Sequence, residues 1–282
     1  MRAVLTPASL EELFAIWQRH PDAMPMAGGT DLLVKLRSSD RSDMRPLLLL
    51  NSIPELTCIT TDTGQLRIGA AVTLSHIIAH PAVQANAPIL ADAAAQIGGP
   101  AIRNMATIGG NVCTASPAGD TLPPLYLLEV EVELLSPSGA RRLPISDFIL
   151  GPGKTALQPG EILTRVTIPK DKTFTTSRFE KVGRRKSLAI AVASLAAMFS
   201  LTEDGTMTEA RLAWGSVGPT VVRLNGLEQQ LQGRQPSALD LRQIVEQVKT
   251  GVSPIDDIRA TAAYRRSVSA NLLVRLLESL HV

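Results

Sequence analysis

Between Ala106 and Asp120 the chain reads ATIGGNVCTASPAGD: three glycines, two threonines, an asparagine, a serine and one carboxylate. Such a run has little that builds a core and much that can follow a ligand closely. Gly109 and Gly110 allow backbone angles and close approaches that a Cβ forbids. Thr107, Asn111 and Thr114 offer short hydrogen-bonding side chains around that bend, and Ser116-Pro117 reads as a cap followed by the first residue of a turn or helix. Asp120 closes the run as an acceptor, suited to hydroxyl groups and poorly suited to phosphate. A plain glycine-rich surface turn is the other reading of the same residues.

A second stretch, PMAGGTDLLVKLRSS, places a short apolar run before Gly28-Gly29 and then Leu32, Leu33 and Leu36 at helical spacing. A strand that turns tightly there into a helix leaves main-chain N–H groups free at the helix start, where diphosphate is a common occupant. The GxGxxG fingerprint is absent and no βαβ repeat is read after it, so a Rossmann assignment is rejected. Asp31 would repel a phosphate unless its side chain caps the helix facing away, and an ordinary strand–helix turn is the alternative. The group Lys181, Arg184, Arg185 and Lys186 reads either as solvated surface or as a lysine facing an anionic ligand. No Ser–His–Asp, Cys–His or paired-carboxylate arrangement is evident. Binding groups without catalytic ones imply that a cofactor supplies the chemistry.

Bulk properties narrow the class. With 282 residues, the chain is long for one core and suggests two domains. Lys and Arg number 28 against 26 for Asp and Glu, and only 3% of residues are aromatic, which argues against nucleic acid. No window approaches the roughly 18 uninterrupted apolar residues of a membrane span, and the acidic, amphipathic start does not read as a signal peptide. Cys58 and Cys113 make neither a disulfide framework nor a metal cluster. His20, His76, His80 and His281 are scattered; His76 and His80 share i, i+4 spacing and read as helix surface. A soluble protein of a reducing, cytoplasmic compartment without its own metal is expected.

The elements that must position these residues follow from periodicity. Ser9 caps a helix carrying Leu10, Leu13, Phe14 and Trp17, which His20-Pro21-Asp22 stops. LLLLNS reads as a strand, LTCITTDTGQLRIGA as a hairpin about Asp62-Thr63-Gly64, Thr73 as the cap of a helix over 74–80, and 86–97 as one Ala-rich helix. TLPPLYLLE is a brief helix, VEVELLSPSGARRLPI a hairpin with Val130, Val132 and Leu134 on one face, GPGKTALQPGEIL a loop, and ILTRVTIP a strand. After a polar linker at 170–177 come strands at Arg178–Val182, Ala189–Leu201 and Met207–Gly215, then helices at Arg223–Leu231, Leu239–Lys249 and Ile258–Leu280. Short antiparallel strands with helices between them indicate α+β.

AGGTDLLVKL, ATIGGNVCTASPAGD, GPGKTALQPGEIL, EKVGRRKSLAIA and SPIDDIRATAAYRR, in that order, resemble the flavoprotein (medium) subunit of the xanthine dehydrogenase and carbon monoxide dehydrogenase family of molybdenum hydroxylases. The resemblance covers nearly the whole chain. It implies a p-cresol methylhydroxylase-type FAD-binding domain over 1–170, with subdomains of about 1–53 and 54–170. A small domain over 175–282, with a three-stranded antiparallel sheet and helices, would follow. By position, Met26, Ala27, Gly28, Gly29, Thr30, Asp31 and Leu32 would wrap the FAD diphosphate through backbone amides. Thr107, Ile108, Gly109, Gly110 and Asn111 would form a second wall, and Asp120 would accept from ribityl or ribose hydroxyls. Leu163 would pack on the isoalloxazine edge and Lys181 would sit near the ring's polar edge, while Ile97 stands where some relatives place an aromatic.

The resemblance further implies two partners, a subunit with 2Fe–2S clusters and a large molybdopterin subunit that oxidises substrate, assembled as a dimer of heterotrimers. NAD, oxygen or a quinone would receive the electrons. With two cysteines, the inserted 4Fe–4S cluster of 4-hydroxybenzoyl-CoA reductases is not expected. The rival readings are a stand-alone flavin oxidase acting on its own organic substrate and a scaffold subunit that has lost FAD.

Overall fold

The computed structural model describes residues 2–38, 43–170, 174–185 and 188–280; Lys186, His281 and part of the expected linker lie outside them. Three short strands open the fold: β1 (Val4–Leu5), β2 (Met24–Met26) and β3 (Leu47–Leu49). They form one sheet in the order β1-β3-β2, with both pairs parallel. Ser9 Oγ accepts from Glu12 N and starts the helix Leu10–Arg19, whose Leu13 is buried against Leu48, Ile53 and Leu56. The chain from β2 to β3 runs through the helix Leu32–Ser38, so a βαβ unit follows the first glycine turn where none is expected. Strands of two or three residues carry no alternation from which their direction could be read.

A five-stranded antiparallel sheet comes next. It is built from β4 (Ile59–Thr61), β5 (Gln65–Gly69), β6 (Glu131–Ser136) and β7 (Gly139–Pro144). The segment expected as a loop folds into a small hairpin, β8 (Ile149–Gly151) and β9 (Lys154–Thr155), before β10 (Ile162–Pro169). The sheet order is β4-β5-β10-β6-β7. Asp62 Oδ1 closes the first hairpin by accepting from Gly64 N and Gln65 N at 2.9 and 2.8 Å. Val130, Val132 and Leu134 are fully buried. Thr73 caps the helix Leu74–Ala79 as expected. Beyond it, His80 Nδ1 accepts from Ala82 N, so this histidine caps a further helix, Pro81–Asn86. The Ala-rich helix spans Pro88–Ala95 rather than 86–97, because Pro88 has no N–H to continue the preceding helix and sits well in a first turn.

The third sheet contains β11 (Thr176–Gly183), β12 (Ala191–Leu201), β13 (Met207–Gly215) and β14 (Val222–Arg223), antiparallel in that order. The expected three strands thus gain a fourth of only two residues, paired to Ala213 and Trp214, too short to leave a pattern. One face carries Leu195, Leu212 and Trp214 against the helices Leu241–Gly251 and Ala262–Ser279, and Trp214 Nε1 donates to Ser269 O at 3.1 Å. The other face puts Phe179, Ala196, Met198 and Ala213 into the core of the preceding half. Burial on both sides explains the unbroken apolar run of β12. The last helix begins at Ala262, not Ile258, since Asp257 Oδ1 ties Arg259 N and Ala260 N into a turn and Thr261 supplies the cap. Among the described residues, no helix is long and apolar enough to cross a membrane.

Candidate functional site

The two glycine stretches meet. A Cβ placed on Gly28 would lie 1.7 Å from Met105 O, so the β2 turn rests directly on the main chain that leads into the second stretch. Gly29 adopts a φ of +69°, the left-handed region, and its carbonyl accepts from Leu33 N to begin the helix Leu32–Ser38. Among the described residues, the N–H groups of Gly28, Gly29, Thr30, Asp31 and Leu32 have no acceptor within the chain.

The second stretch is not an open loop. Thr107 Oγ1 accepts from Gly110 N, and residues Ile108–Thr114 form a helix that ends at Ala115 in the left-handed region. The low helix propensity of two glycines is overcome by this cap and by burial of Ile108, Val112 and Ala115 in the core. Gly109 allows the closest approach, since its Cβ would stand 2.6 Å from Ala70 Cβ while its N donates to Ala70 O. The first four amides are all spent inside the protein: Ile108 on Val72 O, Gly109 on Ala70 O, Gly110 on Thr107 Oγ1 and Asn111 on Thr107 O. The two walls therefore differ: the first offers main-chain donors, the second a smooth surface.

A cleft of about 740 Å³ lies between them. Met26, Ala27, Gly28, Gly29, Thr30, Asp31 and Leu32 border it, as do Thr107, Gly110 and Asn111, whereas Ile108 and Gly109 face inward. Asp31 is no obstacle to an anion in isolation, because its carboxylate lies 2.6 Å from Lys35 Nζ and accepts from Thr114 Oγ1 at 3.3 Å. Asn111 Oδ1 accepts from Thr121 Oγ1 at 2.6 Å.

Asp120 and Lys181 do not border the cleft; they pair with each other just behind it. Lys181 Nζ donates to Asp120 Oδ2 at 2.5 Å and to Gln96 O at 3.0 Å, and both side chains are 7% exposed. Asp120 Oδ1 is buried with no partner. Burial pushes the Asp120 carboxyl up to about 6, with Lys181 opposing. Leu163 is buried in β10 opposite Leu134 and stands off the cleft. Of the basic group, Lys181 points inward, while Arg184 and Arg185 donate to the carbonyls of Ile258 and Leu188.

The opposite wall went unread in the sequence. Ile190, Ser216, Ser253, Asp257, Arg259 and Arg265 border the cleft from the C-terminal half. Arg265 is buried; its Nη1 donates to Val192 O and Ser216 O at 2.7 and 2.9 Å, and its Nη2 to Asp257 Oδ1 at 2.7 Å. The Arg259 N–H, with Arg265 beside it, holds the Asp257 carboxyl well below the usual carboxylate range. The one available signal is SPIDDIRATAAYRR, in which a local turn joins Asp257 to Arg259 while Arg265 reaches Asp257 only from the helix that follows.

Residues 1–171 match the family described as FAD binding domain in molybdopterin dehydrogenase, and residues 178–280 that described as CO dehydrogenase flavoprotein C-terminal domain. The xanthine dehydrogenase FAD-binding subunit of Escherichia coli O157:H7 is 35% identical across 92% of this chain and 88% of its own. The carbon monoxide dehydrogenase medium chain of Hydrogenophaga pseudoflava is 30% identical across 97% and 94%. The solved structure of quinoline 2-oxidoreductase from Pseudomonas putida 86 superposes with a TM-score of 0.90 at 27% identity, covering 99% of this chain and 96% of that one.

Proposed function

This chain belongs to the family of FAD-binding subunits of the molybdopterin dehydrogenases, and from that premise we propose that it relays electrons from the 2Fe–2S centres of one partner to an external acceptor such as NAD, oxygen or a quinone. It is an oxidoreductase subunit and its cofactor is FAD. In this reading residues 1–170 form the FAD-binding domain and 175–282 the smaller one. A large molybdopterin subunit oxidises the substrate, in keeping with relatives named for xanthine, carbon monoxide and quinoline on one shared fold.

The observation that carries the reading is the match between orphaned groups and the chemistry of a flavin dinucleotide. The free N–H groups from Gly28 to Leu32 suit a diphosphate. Asp120 Oδ1, a buried acceptor without a donor directly behind the cleft-lining Gly119, suits a hydroxyl that reaches past that wall. Gly110 leaves open the space a side chain would fill. When bound, FAD supplies exchange between single-electron and two-electron carriers. The chain's own work is to bind, orient and shield: the glycine turns fix the dinucleotide's middle, and Lys181 keeps a positive charge beside Asp120.

The stand-alone oxidase finds no support at the cleft. Among the described residues no histidine borders it, and burial pushes the Cys113 thiol up to about 12, which disfavours the thiolate. The test is reduction of bound FAD. Substrate is expected to reduce it in the assembled complex and to leave it oxidised in the isolated chain. Pure chain that takes up no FAD when it is added sinks the reading.

The Asp120 carboxyl also sets a pH dependence. A hydroxyl donor favours the ionised form, so FAD binding lowers a carboxyl that titrates at about 6 in the free chain. Affinity is expected to be flat above that value and to fall by up to about tenfold per pH unit below it, in a flavin-fluorescence titration, and Asp120→Asn to flatten the profile. The flavin-free chain follows the opposite sign. Its folded carboxyl binds more protons than the unfolded one between 3.8 and about 6, so this group's contribution to stability is lost as pH rises through that window.

A further inference from the structure

The helix Pro88–Ala95 ends in a turn whose carbonyls hold two cations. Gln96 O accepts from Lys181 Nζ at 3.0 Å, and the next two carbonyls, Ile97 O and Gly98 O, both accept from Arg103 Nη1, at 3.1 and 2.7 Å. Consecutive carbonyls just past a helix C-terminus form a negative seat, to which the helix dipole adds its own pull. Gly98 makes the bend with a φ of +45°, in the left-handed region. Among the described residues Arg103 has no carboxylate partner, so within the chain its guanidinium is committed to these two carbonyls.

The same turn is fastened from its other side. Gln96 Nε2 donates to Phe179 O at 3.2 Å, and Phe179 lies two residues before Lys181 on β11. Lys181 is thus held both at its ammonium and through its strand, and Nζ has one further partner, Asp120 Oδ2 at 2.5 Å. Among the described residues, Lys181 is the one charged group that acts on the Asp120 carboxyl: burial raises that group and Lys181 lowers it. Any shift of Lys181 within the seat therefore changes how readily Asp120 ionises.

We infer that Arg103 is a positioning residue for Asp120, acting through Lys181. By occupying Ile97 O and Gly98 O it leaves Lys181 a single carbonyl, and so directs the ammonium onto the carboxylate. Without the guanidinium, two unpaired carbonyls stand beside Gln96 O and compete with Asp120 for the same three N–H donors. The ammonium is then drawn along the seat, and the buried carboxyl loses part of the charge that keeps it ionised. On the reading that Asp120 accepts a hydroxyl of FAD, a carboxyl that ionises only at higher pH holds the cofactor less tightly in mildly acidic solution.

The test is a carbon-13 NMR titration of the carboxyl groups in the full flavin-free chain, with Asp120→Asn identifying the Asp120 signal. Arg103→Met is expected to raise the Asp120 midpoint by about one pH unit, part of what a neighbouring cation supplies. Arg103→Lys, whose ammonium still serves the carbonyls, is expected to bring it back toward the parent value. Gln96→Leu cuts the tie to Phe179 at an exposed helix end and is expected to shift the midpoint the same way by less. In a flavin-fluorescence titration, Arg103→Met is expected to bind FAD about fivefold more weakly at pH 6 and almost equally at pH 8. A lowered melting temperature with an unmoved Asp120 midpoint makes Arg103 a plain structural tie and overturns the assignment, as does a midpoint that falls. Should Arg103→Met not fold, an unmoved midpoint in Gln96→Leu overturns it instead. A parent chain that binds no FAD refutes the cofactor reading, while the carboxyl titration, which needs no flavin, still decides the role of Arg103.

Discussion

Gly110→Val is expected to give a folded chain that purifies without flavin colour, its FAD affinity lowered at least about a hundredfold, roughly 2.7 kcal/mol. Outside its chain neighbours and its own helix backbone, the one atom within 4 Å of a Cβ at this position is Thr107 Oγ1 at 2.9 Å, a cap that can shift slightly. The added methyls therefore enter the cleft, where the cofactor belongs, rather than the core. Gly28→Ala makes the contrast. Its Cβ would sit 1.7 Å from a main-chain oxygen that cannot swing aside, so this smaller substitution is expected to disrupt folding. Gly109→Ala, 2.6 Å from Ala70 Cβ and 2.7 Å from Ala70 O, falls in the same class. Flavin absorbance per chain, read beside circular dichroism, separates the two behaviours. A Gly110→Val protein with its full complement of FAD would falsify the placement of the cofactor.

Lys181→Met is expected to cost about 3–5 kcal/mol in the flavin-free chain at neutral pH, the penalty for stranding a buried charge. Lys181 Nζ is the one hydrogen-bond donor to Asp120's carboxylate among the described residues, and both side chains are withdrawn from water. Below about pH 6 the carboxyl of the parent is neutral, so the deficit is expected to shrink as the pH is lowered. Asp120→Asn combined with Lys181→Met should recover most of the loss, since replacing both partners removes the buried charge altogether. Denaturant unfolding of the four proteins at pH 5 and pH 8 measures the cycle. A single variant as stable as the parent at pH 8 would mean that the pair opens to solvent and carries no such energy.

Much of the local architecture was legible because its causes lie within a few residues of one another. Ser9, Thr73 and Thr261 cap helices through the amide three residues on, and Asp62 turns a hairpin through its own Oδ1. The Val130, Val132, Leu134 alternation names the buried face of β6 directly. Where local signals compete, the reading fails. Gly109 and Gly110 argue for a loop, yet Thr107 and the burial of Ile108 and Val112 make that stretch a helix.

The sequence by itself determined the α+β class, two glycine stretches that let the main chain pack closely, and an acceptor at Asp120, since each depends on side-chain type and short spacing. Only the tertiary structure decided that Gly28 lies on Met105, that Lys181 crosses 61 residues to meet Asp120, and that Ser216 and Arg265 face the glycine turns across the cleft. Those contacts depend on how three sheets stack. Stacking is settled by the summed burial of many apolar side chains, a quantity that no single motif carries.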